Sequence, residues 1–89
     1  MNWDYRIDEL ARKDLRDLGP SAARTIRSFL DKRVRGCADP RAFGKPLRGD
    51  KHGLWRYRVQ DYRIICEITD AELIVLVIHV GHRSTVYDD

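Results

Sequence analysis

The stretch LWRYRVQDYRII at residues 54–65 constrains the fold more than any other part of the chain. Trp55, Tyr57 and Val59 alternate with Arg56 and Arg58, the period-two pattern of a strand with one buried face. Gln60-Asp61 suits a two-residue turn, and such a turn fixes the register. Val59 then faces Tyr62, Arg58 faces Arg63, Tyr57 faces Ile64 and Arg56 faces Ile65. One side of this hairpin is apolar and the other is arginine. Like charges directly opposite one another weaken a sheet by roughly 0.2–1 kcal/mol, so folding alone gives no reason to set Arg58 against Arg63. Something outside the fold should need that charge.

The rest of the chain has to supply a core for the apolar side. Trp3-Asp4-Tyr5-Arg6-Ile7 alternates and reads as a first strand, and Asp8 can cap the helix that follows. Leu10, Ala11, Leu15 and Leu18 fall on one helical stripe, which Gly19-Pro20 ends. A second helix begins near Ser21. Ala22, Ala23, Ile26, Phe29, Leu30 and Val34 recur at spacings of three and four until Gly36. Residues 37–53 hold two of the three prolines and four Lys or Arg, and read as a basic loop. After the hairpin and a turn at Thr69-Asp70-Ala71, Leu73 to Val80 is apolar on both faces, like a central strand covered on both sides, with Gly81 ending it. The order is β-α-α-β-β-β. It predicts an α+β fold in which an αα-hairpin packs on one face of a small, twisted, mainly antiparallel sheet, the arginines lying on the other face.

The 89 residues form a single expected domain, 1–89, since a chain this short has little room for a second core. No apolar run approaches the roughly 18 residues of a membrane span, and Met1-Asn2-Trp3-Asp4 does not resemble a signal peptide. A cytoplasmic location without membrane partners is expected, with Cys37 and Cys66 as unpaired thiols. His52, His79 and His82 lack the paired spacing of a zinc site, and no metal or other cofactor is expected. Net charge is only +3, but residues 41–63 carry seven Lys or Arg against two Asp. That asymmetry is the footprint of a surface for polyanions.

Guanidinium forks suit phosphate and stay charged at physiological pH. Cleavage of an RNA phosphodiester needs in addition a base for the 2′-hydroxyl, an acid for the leaving oxygen, and positive charge for the crowded phosphorane. Arginine serves the third role and is a poor base. Tyr87 is the better candidate base, because nearby cations favour phenolate and lower its pKa from about 10. His82 and His52 are alternatives. Arg83 and Tyr87, just past the last strand, can reach the patch of Arg56, Arg58 and Arg63. Other residues have plainer readings. Trp55, Tyr57 and Tyr62 read as core and His79 as a core histidine. Arg24, Arg27, Lys32 and Arg35 read as a solvated helix face or a dock for an acidic partner. Lys45, Arg48 and Lys51 would position a phosphate backbone without choosing sequence.

Leu47-Arg48-Gly49, Leu54 to Val59, Asp61-Tyr62-Arg63-Ile64 and Val80-Gly81-His82-Arg83-Ser84-Thr85-Val86-Tyr87, in this order, resemble the RelE branch of the RelE/ParE toxin superfamily. The resemblance implies a RelE-like fold and the toxin of a type II toxin–antitoxin pair. It implies a metal-independent endoribonuclease that cleaves mRNA in the ribosomal A site. Its partners would be the 70S ribosome, mRNA and a RelB-like antitoxin, the last in a hetero-oligomer. By position, Arg56 and Arg58 match two basic strand residues, Arg63 and Arg83 match phosphate-binding arginines, and Tyr87 matches a tyrosine that stacks on or activates the substrate. Lys45, Arg48, Lys51, His52 and His82 would bind RNA around them. The family's best-studied members carry lysine where this chain has Arg56 and Arg58, which favours electrostatic roles here. ParE-like members share the fold, are thought to poison DNA gyrase, and lack the full arginine and tyrosine set. A non-catalytic RNA- or protein-binding module is the third reading.

Overall fold

A computed structural model describes residues 2–47 and 53–84. In chain order these form β1 (Asp4–Ile7), α1 (Glu9–Leu18), α2 (Pro20–Phe29) with a π-helical turn (Leu30–Val34), β2 (Lys45–Pro46), β3 (Leu54–Val59), β4 (Tyr62–Thr69) and β5 (Ile74–His82). The five strands make one mixed sheet ordered β1-β5-β4-β3-β2, in which only β1 and β5 run parallel. Both helices pack on one face of it. The expected α+β fold is therefore present, with a short edge strand, Lys45–Pro46, inside what reads as loop.

The hairpin has the register that its turn dictates, from Val59 opposite Tyr62 to Arg56 opposite Ile65. Tyr57, Ile64, Cys66, Val75, Val77 and Val80 point to the helices and are buried, meeting Ala11, Leu15, Ile26, Leu30 and Val34. Leu10, which sequence periodicity puts on the α1 stripe, instead faces solvent at 68% exposure. On α2 the buried residues recur every four, from Ala22 to Val34. Four residues overshoot one α-helical turn, so this line drifts around the helix. The π turn, closed by Arg35 N–H to the Leu30 carbonyl at 2.9 Å, advances less per residue and keeps Val34 on the core.

Gly19 joins the helices at φ +100°, closing α1 through its N–H to the Leu15 carbonyl, and Pro20 starts α2 in the first-turn position where its missing N–H costs nothing. Proline is thus the beginning of the second helix as well as the limit of the first.

The last strand departs from expectation in two respects. The register on β4 shifts between Ile65, opposite His79, and Cys66, opposite Val77, so Ile78 is an extra residue in β5. This bulge changes the phase of alternation, and Val75, Val77 and Val80 all reach the core while Ile74, Leu76 and Ile78 stay half-buried. The double-sided apolar run therefore reflects a phase change; helices cover one face of this strand. The strand also runs past Gly81 to His82, because Arg63 and Tyr62 continue the ladder.

β1 accompanies β5 only as far as Val77, so the edge of β5 beyond it needs other partners. Asp14 of α1 supplies one. Its Oδ2 accepts the Val80 N–H at 3.0 Å and lies 2.7 Å from His79 Nδ1. The His79 side chain is half exposed, so this is a surface pair and not the core histidine expected.

Candidate functional site

The site is built on the end of the β3–β4 hairpin. Gln60 has φ +55° and Asp61 does not share the positive φ, the sign pattern of a II′ turn, which favours glycine at the first position. Immediately before and after this turn, Arg58 and Arg63 lie opposite one another on the sheet face away from the helices. Arg63 is in turn opposite Gly81. Two residues on, the Arg83 N–H donates to the Asp61 carbonyl at 2.7 Å, and its Nε lies 3.7 Å from Asp61 Oδ1. Arg58, Arg63 and Arg83 thus gather at one corner of the sheet.

Arg56 is placed differently from expectation. It lies on the outer face but is only 6% exposed, on the floor of a cleft of about 260 Å³ walled by Ala42, Phe43 and Gly44. Lys45, opposite Arg56 across β2 and β3, and Arg58 complete the lining. The wall is fixed from behind. Phe43 stacks on Tyr57 at 5.2 Å, Phe29 lies 5.5 Å from Tyr57, and the buried Tyr57 hydroxyl donates to the Pro40 carbonyl at 2.7 Å. Burial pushes the Tyr57 phenol far above its ordinary pKa and the neighbouring Cys66 thiol up to about 12, so both serve packing. Trp55 and Tyr62 are half-buried against the same core, as expected of them.

His82 sits opposite Tyr62 on the helix side of the sheet, edge-on to that ring at 6.1 Å, with its Nδ1 3.0 Å from the Ser84 hydroxyl. It is not beside Arg58 and Arg63. Arg48, Lys51, His52 and Tyr87 lie outside the described residues. Arg41 does not contribute to the patch, being tied by two hydrogen bonds of 2.9 and 2.8 Å to Asp70, whose carboxyl it holds below the usual range. Among the described residues no group of three or more His, Cys, Asp or Glu could hold a metal ion.

A second basic surface borders β1. A groove of about 1060 Å³ is lined by Arg6, Arg12, Lys13, Arg16 and Arg27, with the exposed Leu10 and the half-buried Leu76 among them. Arg35 also borders it but is engaged with Asp4 at 3.1 Å and Asp31 at 3.2 Å. Sequence reading recognised Arg27 and Arg35 here and missed Arg6 and the α1 cations. It also missed the wall of Ala42, Phe43 and Gly44, for which the only signal was a glycine beside an aromatic in a basic loop. Asp14 left a clearer one: a carboxylate three residues from Ala11 and four from Leu18, at the border of the apolar stripe.

Chemically, the corner offers a concentration of fixed positive charge with hydrogen-bond donors, suited to phosphate. Residues 5–87 match the family model described as the ParE toxin of the type II toxin–antitoxin system parDE. Toxin RelG of Mycobacterium tuberculosis is 30% identical over 87 residues, covering 98% of each chain. The mRNA interferase toxin RelE of Escherichia coli K12 is 34% identical over 94 aligned positions, covering 100% of this chain and 94% of that one. Among solved structures, the RelBE2 toxin–antitoxin complex of Mycobacterium tuberculosis superposes with a TM-score of 0.84 at 29% identity, covering 93% of this chain and 100% of that one. No helix among the described residues is long and apolar enough to cross a membrane. Sequence, fold and relatives converge, and the chain belongs to the RelE/ParE superfamily of type II toxin–antitoxin toxins.

Proposed function

We propose that this toxin is an mRNA endoribonuclease of the RelE type, acting in the ribosomal A site without a metal. The observation that carries this reading is the corner where Arg58 faces Arg63 and Arg83 is held to the turn beside them. Three guanidiniums there would stabilise the negative charge that builds on a phosphorane, and such fixed donors are commonly worth about 10²–10³ in rate. Proton transfer falls to Tyr87, with His52 as the alternative; His82, on the helix side of the sheet, is not placed for that role. Arg56, Lys45, Arg48 and Lys51 would guide the RNA backbone. The name of the Escherichia coli relative, an mRNA interferase, supports the same activity.

The partner we propose is a RelB-like antitoxin. The groove beside β1, rich in arginine with Leu10 exposed in it, fits an acidic amphipathic segment that would place an apolar side chain on Leu10 and carboxylates among Arg12, Arg16 and Arg27. Such a complex should weaken as salt rises.

Purified toxin added to ribosomes stalled on a defined mRNA tests the activity. Cleavage within the A-site codon, lowered at least about 100-fold by Arg83→Ala, is the expected result. The description of the matching family model favours one other reading, a ParE-like gyrase poison. Intact mRNA with inhibited supercoiling would establish it instead.

A further inference from the structure

We propose that Asp14 is a positioning residue for cleavage: from helix α1 it fixes the end of β5, which sets Arg83 at the corner. This rests on the nuclease reading and adds to it a residue outside the corner itself. β1 leaves β5 at Val77, where the Asp8 N–H donates to the Val77 carbonyl at 2.9 Å. The extra residue Ile78 follows at once. A bulge bends a strand and re-aims what comes after it, so the direction of residues 79–82 has to be fixed by contacts made beyond the bulge.

Those contacts come from both sides. Val80 turns its N–H away from β4 to Asp14 Oδ2 at 3.0 Å, and by the alternation of an antiparallel ladder the next residue, Gly81, turns its polar groups towards Arg63. Arg83 then returns to the hairpin, its N–H donating to the Asp61 carbonyl at 2.7 Å. β4 and the turn thus hold one side of this segment, and Asp14 holds the other. The same Oδ2 lies 2.7 Å from His79 Nδ1, and since a carboxylate only accepts, that nitrogen carries the hydrogen. One oxygen therefore ties two successive residues directly after the bulge. The Asp14 side chain is only 25% exposed, and its own place is set by Ala11 and Leu15, which anchor the same helix in the core. Without this acceptor the Val80 N–H loses its partner and the strand end can swing, carrying Arg83 with it. A shift of about 1 Å in a group that must meet a transition state can cost on the order of 10²-fold in rate.

Cleavage kinetics on programmed ribosomes for Asp14→Ala, Asp14→Asn, Arg83→Ala and the double variant Asp14→Ala/Arg83→Ala test the assignment. Asp14→Ala should lower kcat by roughly ten- to a hundred-fold with KM little changed, while Asp14→Asn, whose amide oxygen still accepts from Val80, should keep most of the rate. In the Arg83→Ala background the loss of Asp14 should cost nothing further, because a residue acting through Arg83 then has nothing left to position. If Asp14→Ala does not fold at the assay temperature, Asp14→Glu, which keeps the charge and displaces the acceptor by one methylene, carries the same expectations in both backgrounds. Equal losses with and without Arg83, or variants of Asp14 that cleave like the wild type, would overturn the assignment and leave the nuclease standing. A wild type that cuts no message would remove both.

Discussion

Arg58 and Arg63 face each other across a two-residue turn, on the side of the sheet that the helices do not cover. In a hairpin closed by Val59 and Tyr62, theirs is the next pair, without ladder hydrogen bonds between them and with side chains closer together. A like-charged pair in this position suits a surface that binds an anion. Arg58→Thr should leave the protein folded, with a melting temperature equal to or a few degrees above the wild type, while cleavage falls by about 10²-fold. Thermal melts and single-turnover cleavage on the same preparation check both halves.

The turn itself stores strain. Gln60 adopts φ +55°, a conformation costing a non-glycine residue about 1–2 kcal/mol. Gln60→Gly should stabilise the protein by roughly 0.5–1 kcal/mol after the entropy of the more flexible unfolded chain is counted, as measured by urea denaturation.

The wall of the cleft should tolerate substitution poorly. Gly44→Ala places a methyl against Tyr57 Cε1 and only 3.1 Å from the Arg56 carbonyl, and overpacking of this kind costs about 1–3 kcal/mol. Tyr57→Phe removes the donor to the Pro40 carbonyl and should cost about 1–2 kcal/mol. Denaturant midpoints of the two variants test these values, and the loss for Gly44→Ala should shrink in the Tyr57→Phe background if the ring can shift.

Acid should weaken the fold through two carboxylates. Asp70, bonded to Arg41, and Asp4, which accepts the Tyr5 N–H and pairs with Arg35, both have pKa values below the ordinary 3.8. A depressed folded-state value means that each contributes stability above about 3.8, lost as the pH falls through the folded value. Melting temperature should therefore drop more steeply below pH 4 in the wild type than in Asp70→Asn, and the difference should narrow in high salt because both groups are exposed.

The sequence made the hairpin legible down to individual pairs, because strand alternation and a two-residue turn leave a single register. Both helices were legible from their caps and apolar spacing. The burial of Arg56 was not, since alternation assigns a face to a side chain and says nothing of a neighbouring loop that folds over it. Nor was the bulge at Ile78, because an apolar run keeps its composition when its phase changes. Leu10 shows the reverse case: a leucine near the stripe is counted with it, although it lies 100° around the helix from Ala11. The arginine corner was visible as charge, but which of the described residues form it, Arg58, Arg63 and Arg83, with Arg41 diverted to Asp70 and His82 to the other face, needed tertiary geometry.

Mapping mRNA 5′ ends in cells after induction of the wild type and of Arg83→Ala is the most direct test of the proposed activity. New ends within codons of translated frames, dependent on translation and absent in Arg83→Ala, are the predicted result. Growth arrest with intact messages and altered plasmid supercoiling would contradict it and place this toxin with the gyrase poisons.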